Sequence, residues 1–93
     1  MIINKLMYFL LNFFIKDIYI IEQGIFMNGC EFEYSPLYYT TSLQKAKKIL
    51  KEYIFFMYEE NINNNNIKKI NSNYWSYEYD FETKYGILKQ KLK

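Results

Sequence analysis

Residues 41–58, TSLQKAKKILKEYIFFMY, constrain the fold more than any other stretch of the chain. Leu43, Ala46, Leu50, Tyr53 and Met57 recur at alternating steps of three and four residues, with Ile49 and Ile54 flanking them. At about 100° per residue these positions form an apolar stripe on a helix. Gln44, Lys47, Lys48, Lys51 and Glu52 occupy the other side. Thr41 followed by Gln44 has the spacing of a capping box, the hydroxyl on an early backbone N–H and the amide reaching back. The stretch therefore predicts an amphipathic helix, and the rest of the chain must supply an apolar surface for it.

Two strand-rich regions offer that surface. In residues 17–34, Ile18-Tyr19-Ile20-Ile21 is β-branched and aromatic, and Asn28-Gly29 is a strong hairpin signal. A two-residue turn there would pair Met27 with Cys30, Ile25 with Phe32, and Gln23 with Tyr34. Alternation then puts Ile25, Met27, Cys30, Phe32 and Tyr34 on one face, and Glu22, Gly24, Phe26, Glu31 and Glu33 on the other. Gly24 is a candidate bulge, and Pro36 is expected to break the second strand. In residues 74–82, Trp75, Tyr77, Tyr79 and Phe81 alternate with Ser76, Glu78, Asp80 and Glu82. A turn at 83–86 leads to a last strand at 87–92, with a short C-terminal helix as the alternative. Between helix and second hairpin, residues 61–73 are polar and asparagine-rich and read as a long mobile loop. The expected core sets the helix stripe against Ile25, Phe32, Tyr77, Tyr79 and Phe81.

Residues 2–15, IINKLMYFLLNFFI, are apolar almost all round. As a helix they would reach roughly 21 Å, short of the ~30 Å hydrocarbon core of a bilayer. They read as a helix covered by protein, within the chain or in a homodimer. An interfacial membrane anchor and a true start at Met7 or later are the alternatives. The expected architecture is a single α+β domain over residues 1–93. It has an apolar N-terminal helix (1–15), a hairpin (17–34), the central helix (41–58), the asparagine-rich loop (61–73) and a second hairpin (74–92). In short form this is ββαββ behind an N-terminal helix, one helix on an antiparallel sheet.

Composition narrows the chemistry. The chain has no His and no Arg, so it lacks the commonest general base, the commonest metal ligand and the guanidinium fork that reads guanine or clamps phosphate. A single cysteine, Cys30, excludes an intramolecular disulfide and a thiolate zinc cluster, and fits a reducing, cytoplasmic setting. Its thirteen Ile, ten Asn and twelve Lys reflect A/T-rich codons and carry little functional information. Neither a glycine-rich phosphate loop nor a nucleophile elbow occurs, so a non-enzymatic protein without cofactor or metal is expected.

Two surfaces compete as the working one. Glu22, Glu31, Glu33, Glu78, Asp80 and Glu82 all fall on expected outward strand positions, where they would form an acidic sheet face. Glu31, Glu33, Glu78 and Asp80 sit mid-strand and are the preferred contacts. Such a face is either simply solvated, a mimic of a phosphate backbone that docks a basic groove, or a carboxylate site for a cation. On the helix, Phe55 falls among the lysines near Lys48 and Lys51, where an exposed ring could stack on bases or anchor a protein interface. Coverage by the N-terminal helix or the asparagine-rich loop is the other reading of Phe55.

KDIYIIEQG, the NG turn, YYTTSLQKAKKILKEYI and the late strand YWSYEYDF together cover residues 16–88 in part. This layout resembles small phage- and prophage-borne proteins in which a hairpin is followed by a T/S-x-x-KA helix and further strands. The resemblance implies an inhibitor of host defence of the anti-CRISPR type. Its partner would be a host protein or ribonucleoprotein complex, for example a CRISPR effector. A single-stranded nucleic-acid binder using Lys48, Lys51 and Phe55 is the alternative, and a membrane-associated accessory protein the third reading.

Overall fold

The structure, a computed structural model, describes residues 17–27, 29 and 31–91. The expected N-terminal helix over 1–15 and the role of Cys30 lie outside the described residues.

The helix forms where the stripe predicts it, as α1 (Leu43–Tyr58), but its cap is Ser42 rather than Thr41. Ser42 Oγ accepts the backbone N–H of Lys45 at 3.1 Å, one of the donors a helix start leaves open. At the other end Glu59 takes a left-handed conformation (φ 56°), and its N–H closes onto the Phe55 carbonyl at 2.8 Å.

Five antiparallel strands make one sheet: β1 (Asp17–Met27), β2 (Glu31–Thr40), β3 (Lys68–Asn71), β4 (Tyr74–Glu78) and β5 (Thr83–Lys91). Their spatial order is β2-β1-β5-β4-β3. The fold is thus α+β, ββα followed by three strands rather than two. The asparagine-rich segment accounts for the extra one. Ile67 is buried at 3% exposure and anchors it. Asparagine side chains bond the local backbone on both sides of that residue: Asn63 Oδ1 accepts from Asn65 N, Asn66 Oδ1 from Asn63 N, and Asn71 Oδ1 from Asn73 N. Short Asn side chains mimic backbone turns in this way, so the segment holds a 3-10 turn (Asn64–Asn66) and an edge strand. The expectation of one long loop is corrected.

The first hairpin is one residue out from the expected register. Met27 pairs with Glu31, Phe26 with Phe32, Ile25 with Glu33 and Gly24 with Tyr34, leaving three residues between the strands, with Gly29 at φ 69°. A Gly in the left-handed region suits a three-residue hairpin loop. Because side chains alternate, a one-residue slip exchanges faces for one strand against the other. Phe32 and Tyr34 now share a face with Gly24 and Phe26, while Glu31 and Glu33 share one with Ile25 and Met27. The bulge lies between Ile21 and Glu22, opposite Leu37, and not at Gly24. Pro36 does not end β2; it sits next to that bulge on an edge strand, where a missing N–H is tolerated.

The second hairpin also turns earlier than expected. β4 ends at Glu78 and β5 begins at Thr83, so 79–82 is the turn and Tyr85, Gly86 and Ile87 are strand. Tyr85 and Ile87 point at the helix from the centre of the sheet, opposite Gln23 and Ile21 of β1. The core is accordingly Ile21, Ala46, Leu50, Ile54, Ile67, Trp75, Tyr85 and Ile87, with Leu43, Ile49, Tyr53, Tyr58, Tyr77 and Tyr79 packed around it. From the expected core, Ile25, Met57 and Phe81 are exposed. Phe32 lies on the far side of the sheet.

That far side holds two close approaches. The Tyr34 ring covers Gly24 and the Tyr74 ring covers Gly86, each across one strand gap. A Cβ at Gly86 would stand 2.6 Å from Tyr74 Cζ. Rings lying over glycines fill space that the missing side chains leave and help pin strand register. The Tyr74 hydroxyl donates to Glu22 Oε2 at 3.0 Å.

Candidate protein-interaction surface

The turn at 79–82 is built by one carboxylate. Asp80 Oδ1 accepts the backbone N–H of Glu82 and of Thr83, both at 2.8 Å, while Tyr79 N donates to the Thr83 carbonyl at 3.0 Å. The neighbouring strand holds it too, since Phe26 N donates to the Glu82 carbonyl at 2.9 Å. The helix contributes the third support, as the Tyr58 and Tyr79 rings stack with centroids 3.7 Å apart and planes 11° apart. A turn fixed on three sides thus projects Phe81, which is 96% exposed.

Beneath the turn lies a tyrosine network. Tyr85 OH and Tyr58 OH are 2.5 Å apart, and Gln23 Nε2 donates to Tyr85 OH at 2.9 Å. Burial, reinforced by the Tyr58 hydrogen bond and opposed by Gln23, pushes the Tyr85 hydroxyl well above the usual phenol range. Tyr74 is raised likewise, first by burial and then by the charge of Glu22. These hydroxyls tie β4 to β1 through Glu22 and β5 to α1 through Tyr58.

The acids are not gathered on one face, which corrects the expected acidic sheet. Glu33 pairs with Ile25, whereas Glu78 pairs with Lys84 and Lys84 with Gly24, so Glu33 and Glu78 point to opposite sides. Glu22 lies mid-sheet under Tyr74. The acids gather instead at one end. Glu31 and Glu33 flank the β1–β2 turn; Glu78, Asp80 and Glu82 flank the β4–β5 turn beside it. Glu59 and Glu60 follow the C-terminus of α1, close enough that Glu60 raises the Tyr77 and Tyr79 hydroxyls after burial has done so. Seven of the ten acids in the chain therefore lie toward this end of the molecule, and three of them, Glu78, Asp80 and Glu82, line clefts with Phe81.

Lys84 lies at this end too, in the cleft it shares with Phe81. Its Nζ lies 3.3 Å from Glu78 Oε2 and 4.5 Å from the centroid of Phe32. Lys45, Lys47 and Lys48 sit on the first turns of α1, and Lys89 and Lys91 at the opposite end of β5. Charge thus runs from basic to acidic along the molecule. On α1 it runs against the helix dipole, whose C-terminal end is already negative.

Lys48, Lys51 and Phe55 lie on the outward side of α1, apart from the acidic end. Phe55 is half exposed, and Lys51, Glu52, Phe55, Asn61 and Ile62 line a shallow depression. Sequence reasoning missed Phe81 as a surface residue and Glu59 and Glu60 as members of the acidic set. The signal for Phe81 was Asp80-Phe81-Glu82-Thr83, since an Asp two and three residues before free N–H groups favours a turn. Among the described residues no three acid or sulfur side chains converge to hold a metal ion, and no helix is long and apolar enough to cross a membrane. Compared with protein-family models, with curated proteins and with solved structures, the chain finds no match in any of the three.

Proposed function

We propose that this is a non-enzymatic protein-interaction module that docks its acidic, Phe81-bearing end on a basic surface of a partner. The observation that carries the reading is the concentration of Glu31, Glu33, Glu59, Glu60, Glu78, Asp80 and Glu82 toward one end of the molecule, with the last three beside an exposed phenylalanine on a braced turn. Carboxylates placed against the dipole of α1 do not serve its stability, and a large ring left in water gains only when something covers it. Basic grooves that handle nucleic acid are the partner class such an end imitates phosphate for. An inhibitor of a host ribonucleoprotein complex, a CRISPR effector for example, is the concrete form of this reading. Half-exposed Phe55 beside Lys51 supports the second one, a binder of single-stranded nucleic acid.

The test starts with a partner recovered from a lysate of the source cells and compares two sets of variants against it. Glu31→Lys, Glu33→Lys and Glu82→Lys should slow association by about tenfold or more at low salt, with an unchanged fold. Asp80 is left intact because its carboxylate holds the turn. Lys48→Glu with Phe55→Ala should leave binding alone. The reverse pattern, together with salt-dependent binding to bare RNA or DNA, would sink the acidic-end reading.

A further inference from the structure

Two clefts meet at Phe81. One, of about 400 Å³, is lined by Phe32, Glu78, Asp80, Phe81 and Lys84, and the other, of about 530 Å³, by Phe26, Asp80, Phe81 and Glu82. They share Asp80 and Phe81, and their floors adjoin, the Phe26 and Phe32 rings lying 5.2 Å apart. In the first cleft the chain supplies its own cation, for Lys84 sits over the Phe32 ring and pairs with Glu78. The second cleft repeats that chemistry, aromatic floor and carboxylate rim. Among the described residues no lysine enters it.

We infer that the cleft between Phe26 and Phe81 receives one cationic side chain of the partner, arginine before lysine, with the guanidinium on the Phe81 ring and against the Glu82 carboxylate. A cation within about 6 Å of a ring centroid is attracted by the ring quadrupole, and more so once water is excluded. Arginine is preferred because its plane stacks on the ring while its edge forks to a carboxylate. Asp80 adds negative charge and keeps the turn in shape, with Oδ1 already committed to two backbone N–H groups. Lys84, the cation of the neighbouring cleft, is held there by Glu78. The assignment rests on the acidic end being the contact surface and names what that end grips.

The full-length chain, labelled with ¹⁵N, is titrated with N-acetyl-arginine methylamide, its lysine counterpart and its norleucine counterpart, followed by amide chemical shifts. Arginine should give saturable shifts at Phe26, Phe81 and Glu82, lysine weaker ones, and norleucine none. Phe81→Ala should weaken arginine binding about fivefold with unchanged melting, because that ring is exposed. Glu82→Gln should weaken it and reduce its salt dependence. Equal shifts from norleucine, arginine shifts that map elsewhere, or no saturable shift up to the solubility limit would each overturn the assignment. The partner assay separates this failure from failure of the wider reading. If Glu31→Lys and Glu33→Lys slow association while Phe81→Ala and Glu82→Gln leave dissociation unchanged, the cleft assignment alone falls. If all four variants bind like the native chain, both fall.

Discussion

Leu50→Ala and Met57→Ala change two positions of the same helical stripe, and the fold predicts that they behave very differently. Leu50 is 0% exposed within the cluster that includes Ile21, Ile54 and Ile87, whereas Met57 is 46% exposed. Truncating Leu50 removes three buried carbons, about 2.4 kcal/mol at about 0.8 kcal/mol each. The hole left under α1 adds a cavity penalty, bringing the expected loss to about 3–5 kcal/mol. Small proteins of this length hold about 5–14 kcal/mol in total at about 0.05–0.15 kcal/mol per residue. One substitution thus consumes about a fifth or more of that stability and lowers Tm by at least about 12 °C. Met57→Ala removes atoms that are half in water already, and alanine suits a helix, so less than about 1 kcal/mol should be lost. Urea denaturation followed by far-UV circular dichroism gives both values, with the m-value checking that the unfolded state is unchanged. The helix would not rest on the β1–β5 centre if Leu50→Ala cost less than about 1.5 kcal/mol, or no more than Met57→Ala.

Gly86→Ala should destabilise by about 1–3 kcal/mol, because the new methyl meets the Tyr74 ring. A denaturation cycle with Tyr74→Ala should recover part of that loss, and strict additivity would show that the ring does not lie there. Glu59→Gly should stabilise by about 0.5–1 kcal/mol, since the cap is left-handed and a glycine relieves it without a carboxylate at the negative helix end; calorimetry showing a loss would contradict the cap. Alkali should unfold the protein through Tyr74 and Tyr85, whose hydroxyls titrate above their usual range when folded. Below about pH 10 both states keep these protons; as pH rises further the unfolded chain gives them up first, so stability falls. Tyr74→Phe with Tyr85→Phe should flatten the decline between about pH 10 and 12 in urea titrations at fixed pH.

Much of the candidate site was present in the sequence as parts without an arrangement. Glu31, Glu33, Glu78 and Asp80 were recognisable as a set, and the structure does bring them together, but at an end of the sheet. The reason is turn length. Moving one residue from strand into the first turn put Glu31 and Glu33 on the face of Ile25 and Met27, away from Glu22 and Glu78, and ending β4 at Glu78 moved Asp80 and Phe81 out of the sheet altogether. The alternation Trp75-Tyr77-Tyr79-Phe81 continued past the point where Asp80 captured two backbone N–H groups and ended the strand. A local hydrogen bond outcompeted the strand pattern, and a residue read as core became the most exposed ring among the described residues.

The sequence by itself determined α1, because a 3.6-residue period and its flanking cap are local properties that need no partner to be read. It likewise determined that strands flank the helix, since β-branched and aromatic alternation is also local, and that chemistry requiring His, Arg or paired thiols is absent. Only tertiary structure decided that β1 and β5 lie side by side at the centre, that Tyr85 and Ile87 carry the core, and that an asparagine run closes the sheet with β3. Those outcomes depend on pairings across more than sixty residues, Gln23 with Tyr85 for one, whose free energy comes from burying facing side chains together. Strand order and register follow from that shared burial, and the gathering of acids at the Phe81 end follows from strand order and register.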